Sequence, residues 1–325
     1  MTNVQDGMHR DNRIVTLTLN PAIDLACEAE AVRPVRKTRT FAERLDPGGG
    51  GVNVSRVVRA LGGATMAVVL TGGVTGRLLE ELLDECGVPR RSVPVSGRTR
   101  ISQVVHERTS GLEYRFVPEG PMLQDGECRA ALDALAEEAG TWVVLSGSLP
   151  RGVGPGYYAR AAREARARGQ RVALDTSGAA LRTALEERGL VDLVKPSLGE
   201  FETLVGQDLS EPGALEAAAI SFARSGAARL VAVTLGHRGA LLATAEGRCW
   251  RLPAPDVPVR GASGAGDSFV AAMVLALARG AAPEDAFVWG SAAGGATVAA
   301  AGTAHASRAE VEAIHAALRP HLTGG

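Results

Sequence analysis

Short apolar segments alternate with amphipathic helical segments along most of this 325-residue chain. The apolar segments are candidate strands and lie at 13–19, 64–70, 142–145, 171–174, 190–194 and 230–234. Strands that read as unbroken apolar runs and are joined by helices are typical of parallel sheets covered on both faces. From Ala265 the chain carries a helical pattern almost to its end. The sequence therefore predicts an α/β fold with a mostly parallel central sheet between two layers of helices.

Two segments, 28–45 and 95–118, interrupt this pattern with alternating polar and apolar residues and several arginines. Such alternation is typical of strands that face solvent on one side. Both segments leave the α/β core early in the chain and return to it, so we expect them to form one small β sheet that covers the core as a lid. The core then comprises 1–27, 46–94 and 119–325. An exposed sheet has open edges, and two lids that cover each other would form a homodimer.

The overall charge and the cysteines exclude some classes of protein. With a formal net charge of -1, the chain lacks the positive excess that nucleic-acid binding needs. Residues 1–13 contain no apolar run that could serve as a signal peptide or a membrane span. The four cysteines are scattered and form no CxxC pair, which is typical of reduced thiols in a cytoplasmic protein.

Lysine is rare in this chain, which has only Lys37 and Lys195 against 33 arginines. Lysine supplies a compact ammonium on a flexible stem, and a planar guanidinium does not replace it at every site. The two lysines are therefore candidates for ligand binding, although chance survival in an arginine-rich sequence explains them equally well.

Four consecutive glycines, 48–51, precede a helical pattern that begins near Asn53. Glycines at a helix start let a ligand approach the backbone, and the Asn53 side chain could cap the helix or bind a hydroxyl group. A flexible turn is the alternative. A run of this length carries a large cost in backbone entropy, however, and is seldom without a role.

A second glycine-rich run, at 261–267, comes directly before an apolar helix. The backbone N–H groups of Gly264, Ala265 and Gly266 at the helix start would form an anion hole. Asp267 would then accept the proton of a hydroxyl group while the hole holds a phosphoryl group, which is the general-base arrangement of a phosphoryl transferase. The alternative is a carboxylate that only stabilises the helix N-terminus.

Two common nucleotide-binding motifs are missing from the sequence. A Walker A loop needs a lysine directly after a glycine, and neither lysine follows one. A dinucleotide-binding fingerprint lies between an early strand and its helix, whereas 261–266 lies near the C-terminal end. These observations exclude a P-loop kinase and argue against an NAD-binding enzyme.

The chain resembles the ribokinase-like (PfkB) carbohydrate kinases over nearly its whole length. Eight motifs follow the order of that family: NPAID at 20–24, the glycine run with Asn53, GRTR at 97–100, SGSLP at 146–150, DTSG at 175–178, VKP at 194–196, TLG at 234–236 and GAGD at 264–267. Within the family the chain looks most like the minor 6-phosphofructokinases, the 1-phosphofructokinases and the tagatose-6-phosphate kinases. The resemblance implies a three-layer ribokinase-like fold and the phosphorylation of a ketohexose phosphate with ATP and Mg²⁺.

The resemblance also implies roles for individual residues. The sugar hydroxyls and nearby substrate atoms would be bound by Asp24, Gly49, Gly50, Asn53 and Ser148. The phosphate already on the sugar would be bound by Lys37, Arg39 and Arg100, and arginine suits this role because guanidinium binds phosphate through paired hydrogen bonds. ATP would be bound by Lys195, Ser197, Glu200, Thr234, Gly236 and Gly239, with Glu200 also serving Mg²⁺ indirectly. The resemblance assigns the anion hole to 264–266 and the base to Asp267, as the second glycine run does by itself.

Two departures from the family pattern bear on these roles. Ser197 stands where the family usually has an asparagine that helps to organise Mg²⁺ and phosphate, and a serine has a shorter reach. The loop 261–263 also differs from the corresponding loop of relatives that bind a monovalent cation. The sequence therefore leaves the dependence on a monovalent cation open.

Among the phosphosugars, the sequence favours fructose 6-phosphate, which would be converted to fructose 1,6-bisphosphate. The plain glycine run and YRFVP at 114–118 are similar to the minor 6-phosphofructokinases, whereas TLNPA at 18–22 is closer to the 1-phosphofructokinases. Fructose 1-phosphate and tagatose 6-phosphate are the alternatives. A kinase for an unphosphorylated sugar would not need the cations Lys37, Arg39 and Arg100. A catalytically inactive sugar-phosphate sensor would not need Asp267.

Overall fold

The computed structural model describes residues 12–261, 263–300 and 307–325. Its strands are β1 Ile14–Thr18, β2 Ala22–Ala29, β3 Thr40–Gly48, β4 Thr65–Thr71, β5 Arg90–Pro94, β6 Arg100–Glu107, β7 Glu113–Phe116, β8 Trp142–Ser146, β9 Arg171–Asp175, β10 Val191–Val194, β11 Ala228–Thr234, β12 Ala240–Thr244, β13 Cys249–Leu252 and β14 Thr323–Gly324. Its helices are α1 Gly50–Ala60, α2 Gly73–Glu85, α3 Asp125–Glu137, α4 Tyr157–Ala167, α5 Gly178–Glu186, α6 Leu198–Val205, α7 Ala214–Arg224, α8 Ala265–Ala278, α9 Pro283–Ala299 and α10 Arg308–Leu318. No helix within the described ranges is long and apolar enough to cross a membrane.

The central sheet has the strand order β14, β13, β12, β11, β10, β9, β8, β1, β4 and β5. Every neighbouring pair from β5 to β11 is parallel. The other edge is antiparallel, because β11 and β12 are joined by a tight 3₁₀ turn at Gly236–Arg238 that is too short for a crossover helix. The mostly parallel sheet predicted from the sequence is therefore confirmed.

Helices cover both faces of this sheet. On one face α1, α8, α9 and α10 share a buried cluster with Ile14 and Val144. On the other face α3 to α7 share a buried cluster with Val15 and Leu145. Alternate residues of β1 and β8 thus face opposite helical layers, as the two-residue period of a strand requires. This arrangement confirms the three-layer prediction.

A second sheet, with the order β3, β2, β6 and β7, is the predicted lid. Its inner pair, β2 and β6, is parallel, and both outer pairs are antiparallel. The lid begins earlier than predicted, since residues 22–27 and 46–48 are lid strands and not core. The sequence pattern hides this boundary because Ile23 is fully buried at the junction, in one cluster with Val52 of α1. A buried apolar residue there looks like a core strand.

Candidate active site

Most of the predicted site residues converge on one edge of the central sheet. The parallel strands β9, β10 and β11 end at this edge, where Asp175, Lys195 and Thr234 stand. The first turns of α1 and α8 pack against the ends of β1, β8 and β10. Parallel strands present their carboxyl ends along a single edge, which is where ligands bind in open α/β sheets. Residues that are far apart in the sequence are therefore neighbours here.

The first glycine run has a structural role as well as a predicted binding role. Helix α1 begins inside the run, at Gly50, earlier than predicted. A Cβ atom on Gly48 would come within 2.1 Å of Oδ2 of Asp24. A Cβ atom on Gly50 would come within 2.3 Å of Oγ of Ser146. Gly49 has a φ of 106°, a conformation that favours glycine. Protein atoms thus occupy the space beside these glycines, and the predicted sugar contacts of Gly49 and Gly50 would use their backbone atoms.

Asp267 is the third residue of α8, and its Oδ2 accepts a hydrogen bond of 2.9 Å from Nδ2 of Asn53. Burial raises the pKa of Asp267 to about 7, and the neighbouring Asp175 carboxylate adds to this effect. The Asn53 hydrogen bond and the Lys195 ammonium act in the opposite direction. A carboxylate whose pKa lies near neutrality can accept a hydroxyl proton and release it again. This environment suits the predicted general base.

The predicted anion hole lies at the first turn of α8. Gly264 is the N-cap and has a φ of 76°, which favours glycine. Ala265 and Gly266 follow in the first turn, where N–H groups have no partners within the helix and the helix dipole attracts anions. A Cβ atom on Gly266 would lie 3.1 Å from Nζ of Lys195, so the ammonium stands beside these donors. An anion at this position would meet backbone N–H groups and a full positive charge together.

Lys195 is 7% exposed, and its Nζ lies 3.2 Å from Oδ1 of Asp175. Burial lowers the pKa of Lys195, but the surrounding carboxylates, Asp175 first among them, outweigh burial and raise it above its ordinary value. Burial raises the pKa of Asp175, and the ammonium opposes that effect. Asp175 is not among the predicted site residues. Its signal in the sequence is its place at the end of a buried strand, as the first residue of DTSG.

Asp24 lies in β2 at the junction between the lid and the core. Burial raises the pKa of Asp24, whereas the guanidinium groups of Arg56 and Arg100 lower it. Arg100 donates hydrogen bonds of 2.8 Å to the carbonyl oxygens of Asn20 and Pro118. With a longer bond from its Nε, Arg100 uses three of its five N–H donors on the backbone of the junction. Its predicted contact with a sugar phosphate would use the remaining N–H donors of the guanidinium.

Lys37 and Arg39 lie in the loop between β2 and β3, at the end of the lid away from Asp24. The strand from Asp24 to Ala29, where the loop begins, is about 17 Å long. Within one chain, the structure therefore does not bring these two cations to Asp24. Ser148 lies closer to the site, in the loop directly after β8.

The predicted ATP-binding residues lie at the ends of two neighbouring strands. Ser197 and Glu200 open α6 directly after β10, and Oε2 of Glu200 accepts hydrogen bonds from the backbone N–H and Oγ of Ser197 at 2.8 and 2.7 Å. The two residues form a capping box, so Ser197 has a structural role as the N-cap. Thr234 ends β11 and forms a bridge with Ser197. Gly236 and Gly239 lie in the turn that follows, both with positive φ.

A cavity of about 790 Å³ opens between the lid and the loop that precedes α8. Its walls include Arg44 and His106 of the lid and Arg260 of the loop, and Asp267 is not among them. In the part of the chain that the structure describes, no group of three or more His, Cys, Asp or Glu residues could hold a metal ion. The role predicted for Glu200 is an indirect one, because Mg²⁺ at phosphoryl-transfer sites usually takes most of its ligands from nucleotide phosphates and water.

These groups fit one type of chemistry. A base whose pKa is near 7 stands beside a set of donors for an anion, and the carboxylate of Asp24 and the amide of Asn53 face the same region. Such a site can remove a proton from a hydroxyl group while it stabilises negative charge on a phosphoryl group.

Comparison with known proteins supports the same chemistry. A family model described as pfkB family carbohydrate kinase matches residues 15–310. The chain is 43% identical over 303 residues to ATP-dependent 6-phosphofructokinase isozyme 2 of Mycobacterium tuberculosis, covering 92% of this chain and 88% of that protein. It is 34% identical over 276 residues to 1-phosphofructokinase of Rhodobacter capsulatus, covering 82% of this chain and 84% of that protein.

The fold is also similar to solved structures. Phosphofructokinase-2 from Escherichia coli in complex with fructose-6-phosphate matches with a TM-score of 0.89 and 38% identity, covering 94% of this chain and 99% of that chain. The same enzyme in complex with potassium matches with a TM-score of 0.90, 39% identity and the same coverage. Its tetrameric inhibited form matches with a TM-score of 0.88 and 38% identity, again with the same coverage.

Proposed function

The chain belongs to the pfkB family of carbohydrate kinases, and we propose that it transfers the γ-phosphoryl group of ATP to the 1-hydroxyl group of fructose 6-phosphate. The observation that carries this proposal is the position of Asp267, with a pKa of about 7, at the start of α8 beside Asn53 and Lys195. The similarity to the 6-phosphofructokinase of Mycobacterium tuberculosis supports the choice of acceptor.

In the proposed reaction, Asp24 and Asn53 orient the sugar through its hydroxyl groups. Asp267 accepts the proton of the 1-hydroxyl group as the oxygen forms a bond to the γ-phosphorus. The bond from that phosphorus to the bridging oxygen breaks, and its electron pair leaves with ADP. The N–H groups of 264–266 and the ammonium of Lys195 stabilise the charge on the phosphoryl oxygens. Mg²⁺, when bound, would neutralise phosphate charge, with Glu200 as the nearest predicted support.

A monovalent cation is a further part of this proposal. The support is the potassium complex of the similar Escherichia coli enzyme and the irregular loop before α8, where the N–H of Arg260 bonds to the carbonyl of Val298 at 2.9 Å. Residue 262, in the same loop, lies outside the described residues. We expect K⁺ to raise the rate relative to tetramethylammonium at equal ionic strength, and equal rates would contradict this part of the proposal.

The decisive experiment compares kcat/KM on fructose 6-phosphate, fructose 1-phosphate and tagatose 6-phosphate, with fructose and ribose as controls. A pocket built for one pattern of hydroxyl groups rejects another because its polar groups are left unpaired. If fructose 1-phosphate wins by about tenfold, equivalent to about 1.4 kcal/mol, the second candidate function is correct. That candidate, a 1-phosphofructokinase, is favoured by the similarity to the Rhodobacter capsulatus enzyme.

Two other outcomes have defined meanings. A preference for a free sugar would refute the roles of Lys37, Arg39 and Arg100 as phosphate ligands. Binding of a phosphosugar without any consumption of ATP would indicate a sensor and not a kinase. Isothermal titration of the sugar phosphate beside the turnover assay separates these cases.

The proposal includes a homodimer formed through the lids. Four side chains form a row across the outer face of the lid, because each is the cross-strand partner of the next. In order across the sheet they are Leu45, Leu25, Gln103 and Phe116. Leu45 is 40% exposed and Phe116 is 56% exposed, and Ile101 beside them is 42% exposed. Exposed apolar groups in one patch mark interaction surfaces.

Light scattering after gel filtration tests this assembly. We expect a dimer for the wild type and a monomer for Ile101→Glu. Val74→Glu is the control, since Val74 is also exposed but lies on α2 and not in this row of lid side chains. A monomeric wild type, or a dimer that Ile101→Glu leaves intact, would refute the lid interface. A tetramer, as in one form of the Escherichia coli enzyme, would call for a second interface.

A further inference from the structure

Arg115 in β7 connects the lid with the catalytic end of the core. Its Nη2 donates a hydrogen bond of 3.1 Å to Oγ of Ser263. Ser263 directly precedes Gly264, the N-cap of α8. Strand β7 is an edge strand of the lid. The free edge of the lid therefore reaches the start of the helix that carries Asp267.

The strand register fixes the face on which Arg115 lies. Arg115 pairs with Val104 of β6, which pairs with Ala26 of β2. Side chains that are paired across strands share one face of a sheet, and Asp24, two residues before Ala26, lies on that same face. Arg115 is close enough to Asp24 to lower its pKa, although burial has the larger effect and raises it. One face of the lid thus presents both Asp24 and Arg115 to the site.

The guanidinium of Arg115 is not neutralised by a carboxylate. Within the described ranges, no Asp or Glu lies within ion-pair distance of it, and its hydrogen-bond partner is the neutral hydroxyl of Ser263. The nearby lid residue Arg108 differs, since it pairs with Glu28 at 2.5 Å and stacks on the ring of Phe41. Arg115 therefore keeps its full charge for an anion that enters between the lid and α8.

We propose that Arg115 binds the phosphoryl group during its transfer, from the lid side and opposite the start of α8. This inference rests on the proposed function. As the acceptor oxygen bonds to phosphorus and the bond to the ADP oxygen breaks, negative charge spreads over the three equatorial oxygens. A guanidinium can donate two parallel hydrogen bonds to such oxygens. Asp267 takes the proton of the acceptor hydroxyl group.

Ser263 then has a positioning role. Its hydroxyl holds the guanidinium at the start of α8 before the anion arrives, at the 3.1 Å distance seen in the structure. If Arg115 only holds the lid against the core, removing the Ser263 hydroxyl should lower kcat as much as removing the Arg115 guanidinium. If Arg115 binds the phosphoryl group itself, the anion can hold the guanidinium without Ser263.

The main test compares Arg115→Gln with Arg108→Gln as the matched lid control. We expect Arg115→Gln to lower kcat by about 10²–10³-fold, since charge stabilisation of this kind acts in the transition state. Arg108→Gln should keep kcat within about threefold of the wild type, a change of under 1 kcal/mol. Ser263→Ala should lower kcat, but by at least about tenfold less than Arg115→Gln does. Equal losses of kcat in Ser263→Ala and Arg115→Gln would overturn the inference, because they would show that Arg115 only holds the lid against the core.

Chemical rescue supplies a readout that a structural role would not give. Added guanidinium ion, at concentrations that leave the melting temperature unchanged, should raise the rate of Arg115→Ala by about tenfold or more and leave Arg108→Gln unaffected. Failure of rescue together with a lowered melting temperature would indicate a structural role and overturn the inference.

The assay uses whichever phosphosugar the wild type phosphorylates, so that the two hypotheses fail separately. A wild type that phosphorylates no sugar phosphate refutes the proposed function. An active wild type with an equally active Arg115→Gln refutes only the role of Arg115.

Discussion

Nδ2 of Asn53 donates a hydrogen bond of 2.9 Å to Oδ2 of Asp267 across 214 residues of sequence. The bond joins the first turns of α1 and α8, so the two glycine-rich runs of the chain meet at one point. Asn53 lowers the pKa of Asp267. The residue that is predicted to bind the sugar therefore also affects the basicity of the predicted base. A change at Asn53 should therefore alter proton transfer as well as binding.

Replacing the base should affect turnover more than binding. Asp267→Asn keeps the size of the side chain and removes the proton acceptor. We expect kcat to fall by about 10²–10⁴-fold, with the KM values for sugar and ATP little changed. Steady-state kinetics with each substrate varied in turn measures both quantities. Turnover near that of the wild type would show that another group takes the proton.

The pH dependence of the rate should follow the pKa of Asp267. A base must be deprotonated to act, so kcat/KM should fall as the pH drops below about 7. In Asn53→Ala the hydrogen bond that lowers this pKa is lost, and the acid limb should move to higher pH. Arg59→Gln is the control, since Arg59 lies on the exposed side of α1 and bonds to the carbonyl of Gly87. An acid limb at the same pH in the wild type, Asn53→Ala and Arg59→Gln would contradict the assignment of this limb to Asp267.

The ionised carboxylate of Asp267 should also lower the stability of the folded protein at alkaline pH. Its pKa is about 7 when folded, against an ordinary value of 3.8. The folded state therefore binds this proton more tightly than the unfolded state does. The stability that results is fully present below the pKa of Asp267 in the unfolded chain, and it is lost as the pH rises through about 7. The difference in melting temperature between Asp267→Asn and the wild type should accordingly grow in favour of the variant from pH 5 to pH 8. A constant difference would mean that the pKa is not raised.

The sequence was sufficient to predict the parallel sheet and the lid because each depends on local pattern, and the assignment of Asp267 as the base stays a prediction. The apolar strands and the alternating pattern of the lid carry their signals within a few residues. The pairing of Asp175 with Lys195 depends instead on the register of β9 and β10, which no local pattern encodes. The remoteness of Lys37 from Asp24 likewise follows from the length of β2, which was hidden by the buried start of that strand.

The buried pair of Lys195 and Asp175 gives a prediction about stability and activity together. Lys195→Met leaves an unpaired carboxylate and should lower the free energy of unfolding by about 3–5 kcal/mol. The double variant Asp175→Asn/Lys195→Met should recover much of that stability and stay inactive. Lys195→Arg should fold but lose activity, because Nζ already lies next to Gly266 and leaves little room for a guanidinium. Denaturant melts and turnover of the three variants would check this, and an active Lys195→Arg would contradict it.

Ser197 and Glu200 allow helix capping to be separated from metal binding. Ser197→Asn should fold as well as the wild type because asparagine is an equally good N-cap, whereas Ser197→Ala should lose about 1 kcal/mol. Glu200→Gln keeps the capping box but removes the charge. If Glu200 supports Mg²⁺, the Mg²⁺ concentration for half-maximal rate should rise in Glu200→Gln, stay near the wild-type value in Ser197→Ala and fall in Ser197→Asn, whose amide reaches further. An inactive Ser197→Asn with an unchanged melting temperature would show that this chain organises its metal differently from relatives that carry asparagine.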